Sequence, residues 1–268
     1  MNVNSLPKSH VQPRLVDSHA HLDDTAFDTD RDAMLARADA VGIEHIVVPA
    51  TTAASWPVLR ALCAHHANLH AAYGLHPMFM RAHVDEHLQN LPQWLSDHHA
   101  IAVGECGLDF FIDDSQPDRQ RACFTRQLAI ARELNLPVII HARRALEEVI
   151  GHLRRVKDLH GVVHSFSGSR EQASQLADLG FLVGIGGPVT HERARRLRAT
   201  VADIPLDTLL LETDAPDQPG ALHRGQRNEP AWLPDIARCI ARLRDVDDAV
   251  IAVATTANAR RLFRLPPG

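Results

Sequence analysis

Residues 15–21, LVDSHAH, form a short apolar run that ends in two histidines. The i and i+2 spacing of His19 and His21 places both imidazoles on one face of a strand. Asp17 lies on the same face, either as an acceptor that orients an imidazole or as a buried structural carboxylate. Because the chain contains 18 histidines in 268 residues, one such pair can arise by chance, and its meaning depends on what ends the other apolar runs.

Similar apolar runs recur along the chain and alternate with segments of helical periodicity. Eight of them predict strands, at residues 14–19, 45–49, 69–73, 100–104, 137–141, 161–164, 181–185 and 208–212. Helical segments lie between them, for example at residues 30–40, 56–66, 116–134, 146–159 and 170–179. The alternation predicts an α/β fold, a (β/α)8 TIM barrel. A doubly wound open sheet is the weaker alternative, because a glycine-rich phosphate fingerprint usually follows its first strand and SHAHLDD is not one.

The length and composition fit one barrel. A chain of 268 residues with 45% apolar content can bury one large core, and an eight-unit barrel typically needs roughly 250 residues. We therefore expect a single barrel domain over residues 14–268. Residues 1–13, which include Pro7 and Pro13, are expected to form a flexible N-terminal extension.

Charge and cysteine content limit the partners and the compartment. The formal net charge of −5 argues against a basic surface, so local features would have to hold any nucleic acid. The four cysteines form no CxxC pair, which favours buried free thiols in a reducing compartment. The first residues lack the apolar core of a signal peptide, and no stretch approaches the roughly 18 apolar residues of a membrane span. We expect a cytoplasmic protein with no membrane contact and no obligate protein partner.

Further carboxylates and imidazoles end the later apolar runs. Glu105 follows AIAVG, His141 ends PVIIH, and His164 ends GVVH. A carboxylate such as Glu105 is costly to bury without a partner, and a cation would remove that cost. Imidazole nitrogen and carboxylate oxygen suit divalent zinc, manganese or magnesium, and two such ions can activate a water for hydrolysis. These residues predict a metal site on the rim of the barrel.

The eighth strand offers two acids, Glu212 and Asp214, on the same face. Spacing alone leaves either as a metal ligand. Asp214 lies nearer the open end of the barrel, so we assign it as the ligand and leave Glu212 as a supporting or structural group. Residues 212–234 follow, with four prolines and two glycines, and predict a long loop that could bind substrate.

Two other motifs are weaker candidates. His83 and His87 in HVDEH have i,i+4 spacing, but no third ligand accompanies them, and a solvated helix face is favoured. Residues 193–198, RARRLR, resemble a nucleic-acid patch but are expected to lie on an ordinary exposed helix face after strand seven.

Seven sequence blocks together resemble those of the TatD family of metal-dependent deoxyribonucleases, within the amidohydrolase-like barrels. The resemblance spans Leu15 to Phe263, in the family's order and approximate spacing. The blocks are DSHAHL, YGLHP, GECGLD, PVIIHAR, HSFSG, ETDAP and RNEP. Cys106 departs from the aliphatic residue or threonine that is more common in the family, at a position that should not ligate metal.

The resemblance implies two divalent metal ions, of magnesium, manganese or zinc, bridged by Glu105. It implies that the first ion is held by His19, His21, Glu105 and Asp214. It implies that the second ion is held by Glu105, His141 and His164. Asp214 would also act as the general base, because a carboxylate beside the attacking water is within reach of its proton. Glu105 and Asp214 are therefore the predicted catalytic residues.

Three further residues are candidates for substrate binding. The resemblance suggests contact through His76, although this residue could also be a turn histidine held rigid by Pro77. Arg143 and Arg227 could pair with phosphate oxygens through their planar guanidinium groups, but arginines are also common on solvated helix starts and loops.

Three functions remain open at this point. The first is a deoxyribonuclease, and specifically an exonuclease, that hydrolyses DNA phosphodiester bonds at ends or in single strands. The second is a hydrolase of an ester or amide bond, such as a D-aminoacyl-tRNA deacylase, because the same pair of metals can serve attack on a carbonyl carbon. The third is a non-catalytic metal-binding or nucleic-acid-binding scaffold, which the presence of all the predicted ligands disfavours.

Overall fold

A computed structural model describes residues 14–111 and 116–267. The predicted N-terminal extension, residues 1–13, lies outside the described residues. Eight strands pair in parallel, each with the next along the chain: β1 Leu15–Asp17, β2 Ile43–Pro49, β3 Leu69–Tyr73, β4 Ala102–Asp109, β5 Val138–Arg143, β6 Gly161–Val163, β7 Phe181–Ile185 and β8 Leu209–Leu211. The backbone amide of Ser18 donates to Leu211 O at 2.9 Å and links the last strand to the first. The predicted (β/α)8 barrel is confirmed.

Helices follow the strands and cover the outside of the barrel. They are α1 Arg31–Ala40, α2 Trp56–His65, α3 Asp85–Asp97, α4 Pro117–Leu134, α5 Leu146–Leu153, α6 Arg170–Asp178, α7 Arg195–Asp203, α8 Leu233–Arg244 and α9 Asp248–Phe263. Within the described residues, each helix is too short or too polar to cross a membrane.

The apolar residues form two layers. The larger cluster packs the outward side chains of the strands against the helices. The smaller cluster takes residues from all eight strands and packs them against α9; its strand members are Val16, Val47, Ala72, Ala102, Ile139, Val162, Leu182 and Leu210. This inner layer is the packed interior of a TIM barrel. Helix α9 packs against this layer near the start of β1, at the opposite end from the polar residues that follow the strands.

Strand β4 is longer than the sequence predicted. The prediction ended the strand at residue 104, but the register shifts between Val103 and Cys106 and pairing with β5 then continues to Asp109. The prediction was wrong because Glu105 and the nearby glycines look like the end of a strand. Gly107 in fact permits a close approach of β4 to β5, since a Cβ at this position would lie 2.1 Å from His141 O. The helix predicted over 146–159 also ends early, at Leu153.

The long connection after β8 contains only two short 3-10 turns, Ala221–His223 and Pro230–Trp232. Asn228 holds this connection to the barrel, because its Nδ2 donates to Thr213 O at 2.7 Å and to Asp217 O at 2.8 Å. The predicted long loop is therefore present and is anchored beside Asp214.

Candidate metal centre

The carboxyl ends of the strands bring all the predicted metal ligands into one cluster. His19, His164 and Asp214 lie just beyond β1, β6 and β8, and Glu105 and His141 lie within β4 and β5. Their ligand atoms form overlapping groups whose members lie within 4.8 Å of one another: His19, Glu105 and His164; His19, His21 and Asp214; His76, Glu105 and His141. The barrel therefore assembles residues that are almost 200 positions apart in the chain.

Glu105 lies at the centre of this cluster, with one carboxylate oxygen facing each half. Its Oε2 is 3.1 Å from His19 Nε2 and 3.4 Å from His21 Nε2. Its Oε1 is 2.7 Å from His164 Nε2 and 3.0 Å from His141 Nδ1. Each oxygen of Glu105 therefore faces a separate pair of histidine nitrogens.

Asp214 faces the first half of the cluster. Its Oδ1 lies 3.6 Å from His19 Nε2 and 3.7 Å from His21 Nε2. The backbone amide of Asp214 donates to His19 O at 2.9 Å, which fixes the end of β8 against the end of β1. The other oxygen, Oδ2, accepts a hydrogen bond from Gln218 Nε2, and Gln218 is in turn bonded to Ser165 Oγ. Gln218 was not singled out by the sequence, because it lies in an irregular loop.

The hydrogen bonds of the histidines show which ring nitrogens are free to ligate. His21 Nδ1 lies 3.1 Å from Pro49 O, which can only accept, so Nδ1 carries the proton and Nε2 has a lone pair. His141 Nε2 lies 2.9 Å from Asp109 Oδ2 and its Nδ1 lies 3.0 Å from Glu105 Oε1, so both ring nitrogens face a carboxylate, and Nδ1 would ligate a cation only after losing its proton. His21 Nε2 and His141 Nδ1 both point into the cluster.

His76 differs from these histidines in its hydrogen bonding. Its Nδ1 accepts from the backbone amide of Met78 at 3.1 Å, so the proton is on Nε2, which lies 2.8 Å from Glu105 Oε1. His76 in this tautomer is a hydrogen-bond donor to the centre. Burial lowers the pKa of His76 to about 4, which keeps the ring neutral.

Asp109 is a further residue of the site, and the sequence patterns did not single it out. It is fully buried, and its Oδ1 accepts from the backbone amide of Phe111 at 2.8 Å. Burial alone would raise the pKa of Asp109, but the hydrogen bonds from His141 and from Phe111 outweigh it and lower the pKa. The available signal was its position four residues after Glu105 on one strand, which places both acids on the same face.

Several observations test whether this cluster fits divalent cations. Pairs of ring nitrogens approach closely: His19 Nε2 is 3.2 Å from His21 Nε2, and His141 Nδ1 is 3.2 Å from His164 Nε2. Among the described residues, the buried Glu105 Oε2 has no hydrogen-bond donor. Burial would raise the pKa of Glu105, yet the surrounding histidines, His164 foremost, hold it well below its usual range. Imidazole nitrogens that converge on a buried, ionised carboxylate are a donor set that suits a divalent cation, which would displace the protons of the rings on binding.

Asp17 and Glu212 support the backbone around the cluster. Asp17 accepts hydrogen bonds from the Thr213 amide, the Thr213 hydroxyl and the His19 amide, and among the described residues no imidazole donates to it. These contacts fit the second of its two predicted roles, that of a buried structural carboxylate. Glu212 accepts from the Ser165 amide at 2.5 Å. Burial raises the pKa of Asp17 to about 7 and that of Glu212 to about 8.

A cavity of about 1000 Å³ opens above the cluster. His76 and Arg143 line it, as do Glu105 and Asp214. Arg227 is not among its lining residues. The Arg227 guanidinium instead donates to Asp30 at 2.6 and 2.8 Å and lies over the ring of Phe27. The structure thus brings Arg143 to the predicted site and places Arg227 in an ion pair beside it.

The two weaker motifs occupy other positions. The expectation of a solvated helix face is wrong for His83, which is buried before α3 begins and donates from Nε2 to His76 O at 2.9 Å. In the basic run 193–198, Arg198 donates to Val189 O at 2.9 Å, whereas Arg196 is exposed on α7. The four cysteines are free, and the buried Cys106 thiol faces Ile139 O, away from Glu105.

A cluster of histidines and carboxylates at the carboxyl end of a (β/α)8 barrel defines a metal-dependent hydrolase. Comparison with known sequences identifies the family to which the chain belongs. It belongs to the TatD related DNase family, whose model matches residues 16–264.

Individual relatives agree with this assignment. The chain is 42% identical to an Escherichia coli K12 protein named an uncharacterized metal-dependent hydrolase, YjjV, over 94% of this chain and 99% of that protein. It is 36% identical to a Cronobacter sakazakii protein named 3'-5' ssDNA/RNA exonuclease TatD, over 93% of this chain and 97% of that protein. The crystal structure of YjjV superimposes with a TM-score of 0.90 at 40% identity, covering 95% of this chain and 99% of that chain.

Proposed function

We propose that the protein is a deoxyribonuclease that hydrolyses phosphodiester bonds at the ends of single-stranded DNA. The observation that carries this proposal is the position of Glu105, whose two oxygens each face a separate pair of histidine nitrogens. Such an arrangement suits two divalent cations that share one carboxylate. His19, His21, Glu105 and Asp214 would hold the first, and Glu105, His141 and His164 the second.

When bound, the cations would lower the pKa of water and neutralise charge on the phosphoryl group. Asp214 is the residue we propose as proton acceptor. Its Oδ1 faces the first half of the cluster beside His19 and His21, where it would be within reach of the proton of a bound water. Gln218 fixes its Oδ2, so that the orientation of Oδ1 toward His19 and His21 is maintained.

His76 and the two arginines are proposed to bind the substrate. The Nε2–H of His76, which lies 2.8 Å from Glu105 Oε1, would turn from this carboxylate to a phosphate oxygen, since Met78 holds the ring in the donor tautomer. Arg143 has an exposed guanidinium at the edge of the same cavity, where it would contact a phosphate. Arg227 would have to break its ion pair with Asp30 to contact a phosphate, so it is the weaker candidate of the two arginines.

The preference for ends of single strands is supported by the recessed position of the cluster, and by the relative named 3'-5' ssDNA/RNA exonuclease TatD. An intact duplex is about 20 Å wide and would have to open to bring a phosphodiester to buried residues. We also propose a cytoplasmic location, which the free thiols of all four cysteines support.

The test compares three substrates: single-stranded DNA labelled at either end, blunt duplex DNA, and misacylated tRNA. Each is incubated with magnesium, manganese or zinc, with and without a chelator. We expect stepwise shortening of the single strand that the chelator abolishes and that Glu105→Ala lacks. Metal-dependent deacylation of the tRNA without DNA cleavage would instead support the ester hydrolase, and full activity of Glu105→Ala would exclude our assignment of the bridging carboxylate.

A further inference from the structure

The ring of Phe111 packs against the guanidinium groups of two arginines at the rim of the cavity above the metal cluster. The Arg143 guanidinium carbon lies 3.7 Å from the centroid of the Phe111 ring, and that of Arg144 lies 4.4 Å from it. Phe111 is 45% exposed, which is unusual for a large apolar side chain, and all three residues line the cavity above Glu105. A cation over an aromatic face is held in place without losing its charge.

In the part of the chain that the structure describes, neither arginine forms an ion pair, although the charge of Arg143 acts on the Asp109 carboxylate. Arg37, Arg121 and Arg227, in contrast, each have a carboxylate oxygen within 2.6 Å. In a chain with a net charge of −5, two adjacent arginines without such a partner beside a predicted hydrolytic centre form a local anion-binding surface.

A second cavity continues from this surface away from the metal cluster. It has a volume of about 560 Å³ and shares Ala142, Arg144, Phe166 and Ser167 with the first cavity. Arg196 of α7 also lines this cavity and forms no ion pair within the described residues, although its charge acts on Glu171. Glu147 and Glu148 line the cavity as well, and Glu148 is paired with Arg121. The two cavities therefore form one groove, and Arg144 lies where they meet.

We infer that this groove is a binding subsite for the nucleotides that adjoin the scissile phosphodiester. Arg143 and Arg144 bind the phosphate next to the reacting one, and Arg196 binds a phosphate farther along the strand. Phe111 holds the two guanidinium groups and offers the exposed part of its ring to an unpaired base. Base stacking on an exposed ring combined with arginine contacts to the backbone is how proteins bind single strands without sequence preference. The inference rests on the proposed nuclease function and adds that the substrate is an oligonucleotide, not a mononucleotide ester.

The positions of the arginines and the shape of the groove favour this occupant. A duplex would present its stacked base pairs edge-on and could not place a base face on Phe111. A small phosphodiester would reach the metal cluster without touching Arg144 or Arg196. The subsite therefore distinguishes substrates by the length of their single strand.

The experiment measures kcat/KM for single-stranded DNA of two, four and eight nucleotides, and for bis(p-nitrophenyl) phosphate. Arg144→Gln and Phe111→Ala should each lower kcat/KM for the octanucleotide by about tenfold, with less than about a twofold change for the small diester. Arg144→Gln should also reduce the slope of log kcat/KM against log salt by about 1. Arg196→Gln should affect the octanucleotide but not the dinucleotide. Arg132→Gln, on the exposed side of α4, is the matched control and should behave as the wild type.

The outcomes separate this inference from the proposed function. If the wild type cleaves the octanucleotide, and Arg144→Gln and Arg196→Gln cleave it with unchanged kcat/KM and salt slope, the subsite is wrong and the nuclease stands. If the wild type hydrolyses bis(p-nitrophenyl) phosphate but no oligonucleotide, the nuclease proposal fails, and the subsite with it. Equal losses of kcat/KM for the small diester and for the octanucleotide would show that the substitutions disturb the catalytic centre. That result would also overturn the subsite.

Discussion

His141 and Asp109 form a hydrogen-bonded pair in which Nε2 of the imidazole lies 2.9 Å from Oδ2 of the carboxylate. The pair leaves Nδ1 of His141 directed at Glu105. An acid behind a ligating histidine fixes its tautomer and increases its basicity. Asp109 thus acts on the centre through His141.

Replacing Asp109 should weaken the second metal site. We expect Asp109→Ala to lower the affinity for the second equivalent of metal by about 10- to 100-fold, because the imidazole loses its orienting acceptor. Isothermal titration of the metal-free protein with manganese or zinc measures this. Asp118→Ala, at the exposed start of α4, is the control. Unchanged affinity in Asp109→Ala would show that His141 does not need its partner.

Removing the hydrogen bond between Gln218 and Asp214 should slow the reaction. In Gln218→Ala the proposed base can rotate away from His19 and His21, and a small misplacement of a reacting group is enough to lower kcat by about tenfold or more. KM for single-stranded DNA should change little, because Gln218 binds Asp214 and Ser165. Steady-state kinetics separate the two constants, and a rise in KM alone would argue that Gln218 binds substrate.

Gly107→Ala should destabilise the barrel. A methyl group there would lie 2.1 Å from His141 O, so β4 and β5 would have to separate. We expect a loss of about 2–4 kcal/mol in the free energy of unfolding, in the range of severe backbone and packing defects. Urea denaturation measures it. The control is Gly151→Ala within α5, where the added methyl contacts nothing within 4 Å and should stabilise the protein by about 0.5–1 kcal/mol.

Acid should destabilise the metal-free protein through His70. Burial, and then the neighbouring His45, lower the pKa of His70 to about 4. The unfolded chain therefore binds a proton below its ordinary pKa of about 6.5 while the folded protein does not, so stability falls as the pH drops from 6.5 toward 4. Between pH 7.5 and 5 the contribution is about 1 kcal/mol after allowance for solvent screening.

Denaturation of the wild type and of His70→Gln at the two pH values measures the His70 contribution. The variant should lose about 1 kcal/mol less than the wild type over this interval. Parallel losses in the two proteins would mean that His70 is not the responsible group. His70 forms its contact with His45 through Nε2 at 3.0 Å and lies outside the metal cluster, so metal content does not enter the comparison.

The sequence alone was enough to predict the barrel and the residues that cluster at its rim. Strands 69–73 and 181–185 were predicted with the observed bounds. Apolar runs and helical periodicity are local properties of the chain, and parallel strands joined by helices can close in few ways. In such a fold, residues that follow successive strands meet at one end, so the identity of the candidate ligands follows from position along the chain.

The tertiary structure decided what each side chain faces. Only the closed barrel shows which oxygen of Glu105 lies beside which histidines, that Asp109 supports His141, and that His76 is a donor. Arg227 was a reasonable candidate in the sequence, but Asp30, 197 residues away, pairs with its guanidinium. Such contacts join residues that are distant in sequence, and their energies depend on distances of a few ångströms that local patterns do not encode.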